Sequence, residues 1–282
     1  TDSETFTLTV NAVNDAPTDL ALNSTSVNEN SEIGTTVGTL STTDVDSDDS
    51  HSYTLVSGDG DTDNASFTIN GINLNTDDLF NYETKPSYAI RIQTTDSESA
   101  IYAEAISITV TDMNDAPVLA GIPNQIVNED MAKTVMLTAS DEDGDFLVFS
   151  ANPDTTAIIV EIADGTLTLT PADNWNGTAD ITVTVTDDGA GMLTDSETFT
   201  LTVNAVNDNP VLTSIGSQST NEDTAKVVTL SATDIENDGL TFTANSAETN
   251  VTATVEGTSL TLTPADNWNG TADITVTVTD DG

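Results

Sequence analysis

Three short acidic connectors contain the residue types in this sequence that are best suited to binding a metal ion. They span residues 11–17, 112–117 and 204–210, and each contains an Asn-Asp pair followed by any residue and a proline. Carboxylate and amide oxygens are hard ligands of the kind that calcium takes in sets of about six to eight. Each connector follows an alternating apolar and threonine segment, so we interpret the connectors as cation-binding joints between β-domains.

Further acidic elements recur in phase with the connectors. They are the Asn-Glu-Asx triplets that begin at Asn28, Asn128 and Asn221, the loops 44–48, 141–145 and 234–238, and the later aspartates Asp96, Asp187 and Asp280. The triplets and the connectors keep the same two spacings, 100 and 93 residues. Carboxylates at alternate loop positions converge well on one ion, and magnesium prefers to keep several waters, so a dense acidic set favours calcium. The loops lack the sixth-position glycine and the flanking helices of an EF-hand.

The composition is extremely acidic. Only 4 lysine and arginine residues accompany 48 aspartate and glutamate residues, which gives a formal net charge of −44. Such a surface repels nucleic acids and anionic lipid headgroups. Two carboxylates about 4 Å apart repel each other by roughly 4 kcal/mol at an effective dielectric constant of about 20, so clustered acids require cations. A solubility surface of the halophile type is the alternative explanation for the scattered aspartates. Cysteine is absent, so disulfide bonds cannot stabilise these small domains, and bound metal is the remaining means of cross-linking them.

The sequence is internally repeated. Pro171 to Gly189 recurs without change as Pro264 to Gly282, and Thr1 to Asp15 recurs as Thr194 to Asp208. The repeats predict three blocks after an initial segment. The predicted divisions are residues 1–13, the last strand of a preceding repeat or a donor strand; block one, residues 14–113; block two, residues 114–206; and block three, residues 207–282, a repeat that lacks its last strand.

Apolar residues alternate with polar ones within each block, and helical periodicity is hard to find. In the segment 5–10, TFTLTV, the apolar side chains fall on one face, which is typical of a half-buried antiparallel strand. Block two yields seven candidate strands, near 118–127, 132–139, 146–150, 157–162, 166–170, 179–186 and 196–204. Seven short strands in such a length predict an all-β fold of tandem seven-stranded Greek-key β-sandwiches in an elongated array.

The sequence resembles the cadherin repeat in the form found in large bacterial surface proteins. Residues 112–117 are similar to the cadherin inter-domain linker, the Asp141-x-Asp143 pair to its Asp-x-Asp loop, and residues 81–83 to its Asp-Arg-Glu motif with asparagine first. Blocks two and three more closely resemble the bacterial cadherin-like or Ig-like variants with an Asn-Gly-Thr turn. The resemblance implies that calcium lies between successive domains, held by the base of one, the linker, and the top of the next.

The resemblance also implies three ligand sets. For the joint between blocks one and two they are Glu29, Glu83, Asp112, Asn114, Asp115, Asp141, Asp143 and Asp187. For the joint between blocks two and three they are Glu129, Asp173, Asn207, Asp208, Asp234, Glu236 and Asp280. For the joint before block one they are Asn14, Asp15, Asp44, Asp46 and Asp96, with no lower domain in this sequence. The second set departs from the family, because Ala205 replaces the first linker aspartate and Asp173-Asn174 only approximates the Asp-Arg-Glu motif.

The function predicted from these features is a non-catalytic, calcium-rigidified extender or adhesion module of a large extracellular bacterial surface protein. Its partners would be neighbouring repeats and a surface glycan or protein receptor. One alternative is a filament whose copies join head to tail by donor-strand addition. Another is a carbohydrate- or partner-binding module in block one, which holds all four tyrosines. An enzyme is disfavoured, because the acids repeat with the blocks whereas an active site would be unique. No apolar run reaches the roughly 18 residues that span a bilayer, so no membrane insertion is expected in this segment.

Overall fold

A computed structural model describes residues 1–282 and contains β-strands with one short 3-10 helix, Asn64–Ser66. The predicted all-β class is confirmed. The chain divides into two compact units, residues 1–120, 139–148 and 185–195 in the first and residues 121–138, 149–184 and 196–282 in the second. The candidate ligands before block one and at the first linker all fall in the first unit, and those at the second linker all fall in the second.

Block one is a sandwich of two four-stranded sheets. Its strands are β1 Asp19–Leu22, β2 Ser26–Asn28, β3 Thr36–Thr43, β4 Ser52–Leu55, β5 Phe67–Asn70, β6 Asn73–Thr76, β7 Ser87–Thr95 and β8 Ile101–Thr111. The sheet orders are β1-β3-β6-β5 and β2-β8-β7-β4, and β2 pairs with β8 in parallel. The period-two pattern of β7 buries Tyr88, Ile90 and Ile92 on one face, which positions the core as the sequence predicts.

An aromatic cluster distinguishes block one from the other blocks. The ring of Phe80 lies 5.3 Å from that of Phe67 and 4.3 Å from that of Tyr88, centroid to centroid. The ammonium group of Lys85 sits 4.4 Å above the Tyr88 ring and also pairs with the Asp63 carboxylate. The tyrosine of the Asn81-Tyr82-Glu83 motif is also partly buried and packs against this core. These contacts assign Tyr82 and Tyr88 to packing.

Block two contains three sheets. Its strands are β9 Val118–Leu119, β10 Gln125–Asn128, β11 Lys133–Met136, β12 Ala139–Ser140, β13 Val148–Pro153, β14 Ile158–Ala163, β15 Thr166–Pro171, β16 Gly177–Thr186 and β17 Thr194–Asn204. The sheet orders are β10-β17-β16-β13, β11-β15-β14 and β12-β9. Strand β17 lies between β10 and β16, and its apolar residues Phe199, Leu201 and Val203 are buried.

Two strands that the sequence predicts as continuous are divided in block two. The predicted strand 118–127 is split into β9 and β10, and the predicted strand 132–139 is split into β11 and β12. In both cases the two halves pair in different sheets. Pro123 lies in the first gap, where its missing N–H removes a ladder hydrogen bond. The prediction that each segment is one continuous strand was wrong. Apolar and polar residues keep alternating along the segment, although its two halves belong to different sheets.

Block three has counterparts of seven of the nine strands of block two, without those of β10 and β17, and a thinner core. Its strands are β18 Val211–Leu212, β19 Lys226–Thr229, β20 Ala232–Thr233, β21 Thr241–Ser246, β22 Val251–Glu256, β23 Ser259–Pro264 and β24 Ile274–Thr279. The sheet orders are β18-β20, β19-β23-β22 and β21-β24. The cluster around Leu230, Phe242 and Leu260 is completed by residues that are only partly buried.

The first eighteen residues carry no strand, and the apolar side chains of segment 1–13 are exposed. A strand is defined by its ladder partners, and none of the sheets described above includes this segment. Its assignment as the last strand of a repeat therefore stays a prediction, as do the block boundaries. No helix is both long and apolar enough to cross a bilayer.

Candidate metal centres

The candidate centres at the two linkers each include the glutamate of an Asn-Glu-Asx triplet, Glu29 or Glu129. In all three blocks the residue after this glutamate adopts a left-handed backbone conformation, with φ of 56° at Asn30, 61° at Asp130 and 57° at Asp223. Asparagine and aspartate tolerate this conformation better than other non-glycine residues. The sharp turn after Asn28 and Asn128 ends β2 and β10, which explains why the triplet closes with an Asx residue.

The Glu29 carboxylate is buried and joins two segments of the chain. Its Oε1 accepts a hydrogen bond from the Met113 amide at 2.7 Å, and its Oε2 accepts one from the Tyr82 amide at 2.6 Å. Met113 belongs to the first linker, and Tyr82 to the motif that ends in Glu83. A carboxylate with both oxygens in charge-assisted hydrogen bonds is held in a fixed orientation.

A continuous group of acids surrounds Glu29, and we call it the first-linker cluster. Its members are Glu29, Glu83, Asp112, Asp115, Asp141, Glu142, Asp143 and Asp145. They form three sets whose ligand oxygens lie within 4.8 Å of one another: Glu29, Glu83, Asp112 and Asp143; Glu83, Asp115 and Glu142; and Asp141, Asp143 and Asp145. Glu83 and Asp143 each belong to two sets, which therefore share carboxylates.

Backbone and amide groups orient the cluster. The Asp115 amide donates to Asp143 Oδ2 at 2.7 Å, so the linker is joined directly to the acidic loop. Asn114 Nδ2 donates to Asp187 Oδ2 at 3.1 Å, which leaves its Oδ1 on the other side of the amide. That Oδ1 lies so close to Gly189 that a Cβ at residue 189 would be 1.6 Å from it. Only glycine fits at this position.

The electrostatics of the first-linker cluster fit a divalent cation. Loss of hydration raises the pKa of Asp112, and the negative charges of Asp143 and Glu29 raise it further. The pKa of Asp115 is raised by the same two kinds of cause. Asp115 Oδ2 and Asp141 Oδ2 are buried without a hydrogen-bond partner. A buried carboxylate oxygen without a hydrogen-bond donor destabilises the folded state. A bound cation would reduce the repulsion among the carboxylates and would also serve as a partner for these oxygens.

The second linker is built on the same plan around Glu129. This carboxylate is buried, and its Oε1 accepts a hydrogen bond from the Val206 amide at 2.6 Å. The second-linker cluster consists of Asp208, Asp234, Glu236 and Asp238, and oxygens of its last three members lie within 4.8 Å of one another. Loss of hydration and the charge of Glu236 raise the pKa of Asp208, and Asp208 Oδ2 and Asp234 Oδ2 are buried without a partner. These features also fit a cation.

Other predicted residues of the second linker differ in their placement. The Asp208 amide donates to Glu236 Oε2 at 3.2 Å, and Asn207 Nδ2 donates to Asp280 Oδ1 at 3.1 Å, so the latter pair matches Asn114 and Asp187. Asp173 is exposed and belongs to none of the acidic sets described above. The other oxygen of Glu129 has only a long contact, 3.5 Å, from the side-chain amide of Asn176.

The acids predicted for the joint before block one form a smaller centre, in which hydrogen bonds stabilise the ionised carboxylates of Asp44 and Asp96. Oxygens of Asp44, Asp49 and Asp96 lie within 4.8 Å of one another. A hydrogen bond from the Asp46 amide, with one from His51, lowers the pKa of Asp44. The side-chain amide of Asn14 lowers the pKa of Asp96. Asp46 accepts a hydrogen bond from the Asp15 amide at 2.7 Å, so the structure brings all five predicted residues into one region.

The structure adds acids that are not among the predicted ligands. They are Asp49, Glu142, Asp145 and Asp238. The signal for Asp145 and Asp238 is visible in the sequence, since both continue the alternate spacing of their loops. Glu142 falls between the alternate positions, and its carboxylate accepts a hydrogen bond from the Asn81 side chain at 2.7 Å. No pattern in the sequence predicts this contact.

The tandem β-sandwiches of this chain have the cadherin-like and Ig-like fold, and family models match two parts of the sequence. Residues 113–204 match the family model for a cadherin-like domain, and residues 207–282 match the model for a bacterial Ig domain. The resemblance to cadherin-like and bacterial Ig-like repeats is thereby confirmed. No curated protein matches the chain.

Solved structures similar to this chain are cadherin ectodomains. Extracellular cadherin domains 1–5 of protocadherin gamma B2 match with a TM-score of 0.54 and 17% identity, over 91% of this chain and 55% of that one. Domains 3–6 of the same protein match with a TM-score of 0.53 and 16% identity, over 88% and 65%. Domains EC1–2 of human protocadherin-24 match with a TM-score of 0.51 and 18% identity, over 68% and 100%. The chain spans about half the length of the first structures it matches, and the likeness shows the fold.

Proposed function

We propose that this chain is a calcium-rigidified extender or adhesion module of a large extracellular bacterial surface protein, and that it acts without catalysis. Cadherin-like and bacterial Ig domains, which the family models identify here, are typically extracellular and non-catalytic. The acids also repeat from one linker to the next, whereas a glycosidase requires one pair of carboxylates across a single cleft. Neighbouring repeats are its first partners, and a surface glycan or protein receptor would be bound by the larger protein.

The observation that carries the proposal is the environment of Glu29. Its carboxylate is buried, it is fixed by amides from the linker and from block one, and its oxygen lies within 4.8 Å of those of Glu83, Asp112 and Asp143. The first-linker cluster contains eight acids, and the ion pairs of the chain, His51–Asp44 and Lys85–Asp63, involve none of them. Calcium suits such a set because it accepts about six to eight oxygen ligands at flexible geometry.

The residues of the cluster come from three successive parts of the sequence. Glu29 and Glu83 belong to block one, Asp112 and Asp115 to the linker, and Asp143 to the first acidic loop of block two. When bound, calcium would supply positive charge that these carboxylates share. The linker would then bend only if ligand bonds broke. Without the ion, repulsion among the same carboxylates favours separation, and the linker would behave as a flexible tether.

Thermal unfolding with and without calcium tests the proposal. An ion that binds only the folded state at about 100 times its dissociation constant stabilises the fold by about 2.7 kcal/mol. For a chain of this size we expect a melting temperature at least roughly 5 °C higher in calcium than in chelator. Magnesium at equal concentration and sodium chloride at equal ionic strength are the controls. Equal melting curves in all four solutions would contradict the proposal.

Small-angle scattering tests the rigidity separately. We expect a larger maximum dimension, and a narrower distribution of conformations, in calcium than in chelator. A melting temperature that depends on calcium, together with an unchanged scattering curve, would support the binding site and contradict the extender function.

A further inference from the structure

The residue that closes the Asn-Glu-Asx triplet differs between the two linkers. It is Asn30 in block one and Asp130 in block two. Both residues have a left-handed backbone conformation, with φ of 56° and 61°, so both side chains leave equivalent turns in the same direction. The difference therefore replaces a side-chain amide by a carboxylate at one place in the fold.

The first linker shows where this side chain reaches. Asn30 Nδ2 donates a hydrogen bond to Asp115 Oδ1 at 2.7 Å, so the closing residue of the triplet contacts the linker aspartate. The counterpart of Asp115, at a shift of 93 residues, is Asp208. An ionised aspartate has no proton to donate, so Asp130 cannot make the same bond to Asp208.

Asp130 and Asp208 nevertheless act on each other. Loss of hydration raises the pKa of Asp208, and the negative charges of Glu236 and Asp130 raise it further. Asp208 Oδ2 is buried without a hydrogen-bond partner. Two neighbouring carboxylates repel each other. A cation would supply the positive partner that the Asn30 amide supplies to the aspartate of the first linker.

A buried oxygen beside Asp130 has the same requirement. Glu129 is 2% exposed, and its Oε2 has only the 3.5 Å contact with the side-chain amide of Asn176. The equivalent oxygen of Glu29 accepts a 2.6 Å hydrogen bond from the Tyr82 amide. A buried carboxylate oxygen without a good donor destabilises the folded state. Two acids of the second linker, Glu129 and Asp208, thus each present an oxygen that the protein satisfies poorly.

A purely structural role does not account for the charge of Asp130. Its Oδ1 accepts a hydrogen bond from the Asn174 amide at 2.9 Å, and in block three Asp223 accepts the equivalent bond from Asn267 at 2.8 Å. This bond fixes the turn that contains Trp175. The side-chain oxygen of an asparagine would accept the same bond. Anchoring of the turn therefore explains an oxygen at residue 130 but not a carboxylate.

We propose that Asp130 is a ligand of the cation at the second linker, where it supplies the negative charge that Ala205 does not. The first linker has an acid at Asp112 and an amide at Asn30, and the second has the acid at Asp130 and none at Ala205. Asp130 would hold the ion together with Asp208, since calcium accepts carboxylates from several segments. This inference rests on the proposed function, because it adds a ligand to one of the proposed calcium sites.

The variant Asp130→Asn gives the second linker the amide that the first linker has. We expect calcium affinity at the second linker to fall about tenfold. In chelator the same variant should melt about 2 to 4 °C higher, because the new amide donates to Asp208 and one repelling charge is removed. An anchoring role alone predicts neither change, since the asparagine keeps the acceptor for the Asn174 amide.

Trp175 provides a local measurement of both quantities. It follows Asn174, whose amide is bound by Asp130, and Trp268→Phe removes the other tryptophan from every chain compared. Calcium titration and thermal unfolding, both followed by Trp175 emission, then report on block two. Unchanged calcium affinity in Asp130→Asn would overturn the inference and leave the proposed function in place. A parent chain without any response to calcium would contradict the proposed function, and the inference with it.

Asp164→Asn is the matched control. Asp164 is exposed in the turn between β14 and β15 and also has a positive φ, 49°, so the variant removes the same charge from a similar backbone. Its calcium affinity should change less than about twofold, and it should not melt higher in chelator. An equal loss of affinity in Asp130→Asn and Asp164→Asn would assign the effect to net charge and overturn the inference.

The reverse exchange tests the position itself. Asn30→Asp removes the 2.7 Å hydrogen bond to Asp115 and places a second carboxylate beside it. In chelator we expect block one to melt about 2 to 4 °C lower, measured by the near-ultraviolet circular dichroism of the tyrosines, all four of which lie in this block. Unchanged melting would show that the closing residue of the triplet does not act on the linker aspartate, which would also overturn the inference.

Discussion

The two linkers of this chain share one design and differ in how completely it is carried out. Glu29 and Glu129 are both buried, and each accepts a hydrogen bond from the amide of the residue two positions before the linker aspartate, Met113 at 2.7 Å and Val206 at 2.6 Å. The glutamate therefore fixes the linker backbone in both cases. This common contact is the invariant part of the joint.

The surroundings of the two glutamates differ. The second oxygen of Glu29 accepts a short hydrogen bond from Tyr82, and its set of carboxylates includes Asp112 and Glu83. At the second linker, Ala205 occupies the place of Asp112, and the second oxygen of Glu129 has only the 3.5 Å contact with Asn176. Under the proposed function, we expect the density of acids to set the cation affinity and the buried glutamate to set the geometry. We expect the first linker to bind calcium more tightly than the second.

Removal of the central glutamates should have the largest effect. Glu29→Ala deletes two charge-assisted hydrogen bonds and should lower the free energy of unfolding by about 3 kcal/mol. Glu129→Ala deletes one strong hydrogen bond and should cost about half as much. Chemical denaturation in chelator measures both values without a contribution from calcium. A larger cost at Glu129 than at Glu29 would contradict the assignment of the stronger hydrogen bonding to Glu29.

Gly189→Ala should be the next most damaging change. The added Cβ would lie 1.6 Å from Asn114 Oδ1 and 2.1 Å from Asp145 Oδ2, so the loop or the linker must move. We expect calcium affinity at the first linker to fall about tenfold, measured by isothermal titration. Gly121→Ala is the matched control, because its added Cβ would have no atom within 4 Å. Wild-type affinity in Gly189→Ala would show that Asn114 is not needed.

Ala205→Asp should transfer part of the first linker's chemistry to the second. The new carboxylate would stand where Asp112 stands in the first linker, so calcium affinity at the second linker should rise about tenfold. In chelator the same variant should be less stable than the parent chain, because a further negative charge joins the cluster. Ala205→Asn supplies the same shape without the charge. An equal gain in both variants would mean that packing, and not charge, is responsible.

Asp173→Asn should have the smallest effect. Asp173 is exposed and lies outside the acidic sets described above, so calcium affinity should change less than about twofold. Glu83→Gln is the contrasting variant at the first linker, where Glu83 belongs to two sets, and it should lower affinity about tenfold. A tenfold loss in Asp173→Asn would show that Asp173 joins the second site when calcium binds.

The sequence predicts the fold and the phase of the acids because both depend on periodicity. Alternation in a segment such as Ser87–Thr95 determines which face is buried, and exact repeats align Glu29 with Glu129. The grouping of Glu29, Glu83, Asp112 and Asp143 agrees with the arrangement that the cadherin resemblance implies. Their role as ligands stays a prediction.

Features that depend on contacts distant in sequence could not be predicted. The split of 118–127 into two strands depends on which sheet each half pairs with, and alternation does not encode that choice. The exposure of Asp173 depends on the conformation of a loop. The different burial of Ile181 and Ile274 is the clearest example. Their sequence segments are identical, but one strand lies in the sheet β10-β17-β16-β13 and the other in the sheet β21-β24.

Asp143 lies in two of the three oxygen sets at the first linker, and the Asp115 amide donates to it. Two ions that share this carboxylate would not bind independently, since the first would orient an oxygen that the second also requires. Occupancy would then change over a narrow range of calcium concentration. An array of such linkers would be flexible below a certain calcium concentration and would become rigid over a narrow range above it.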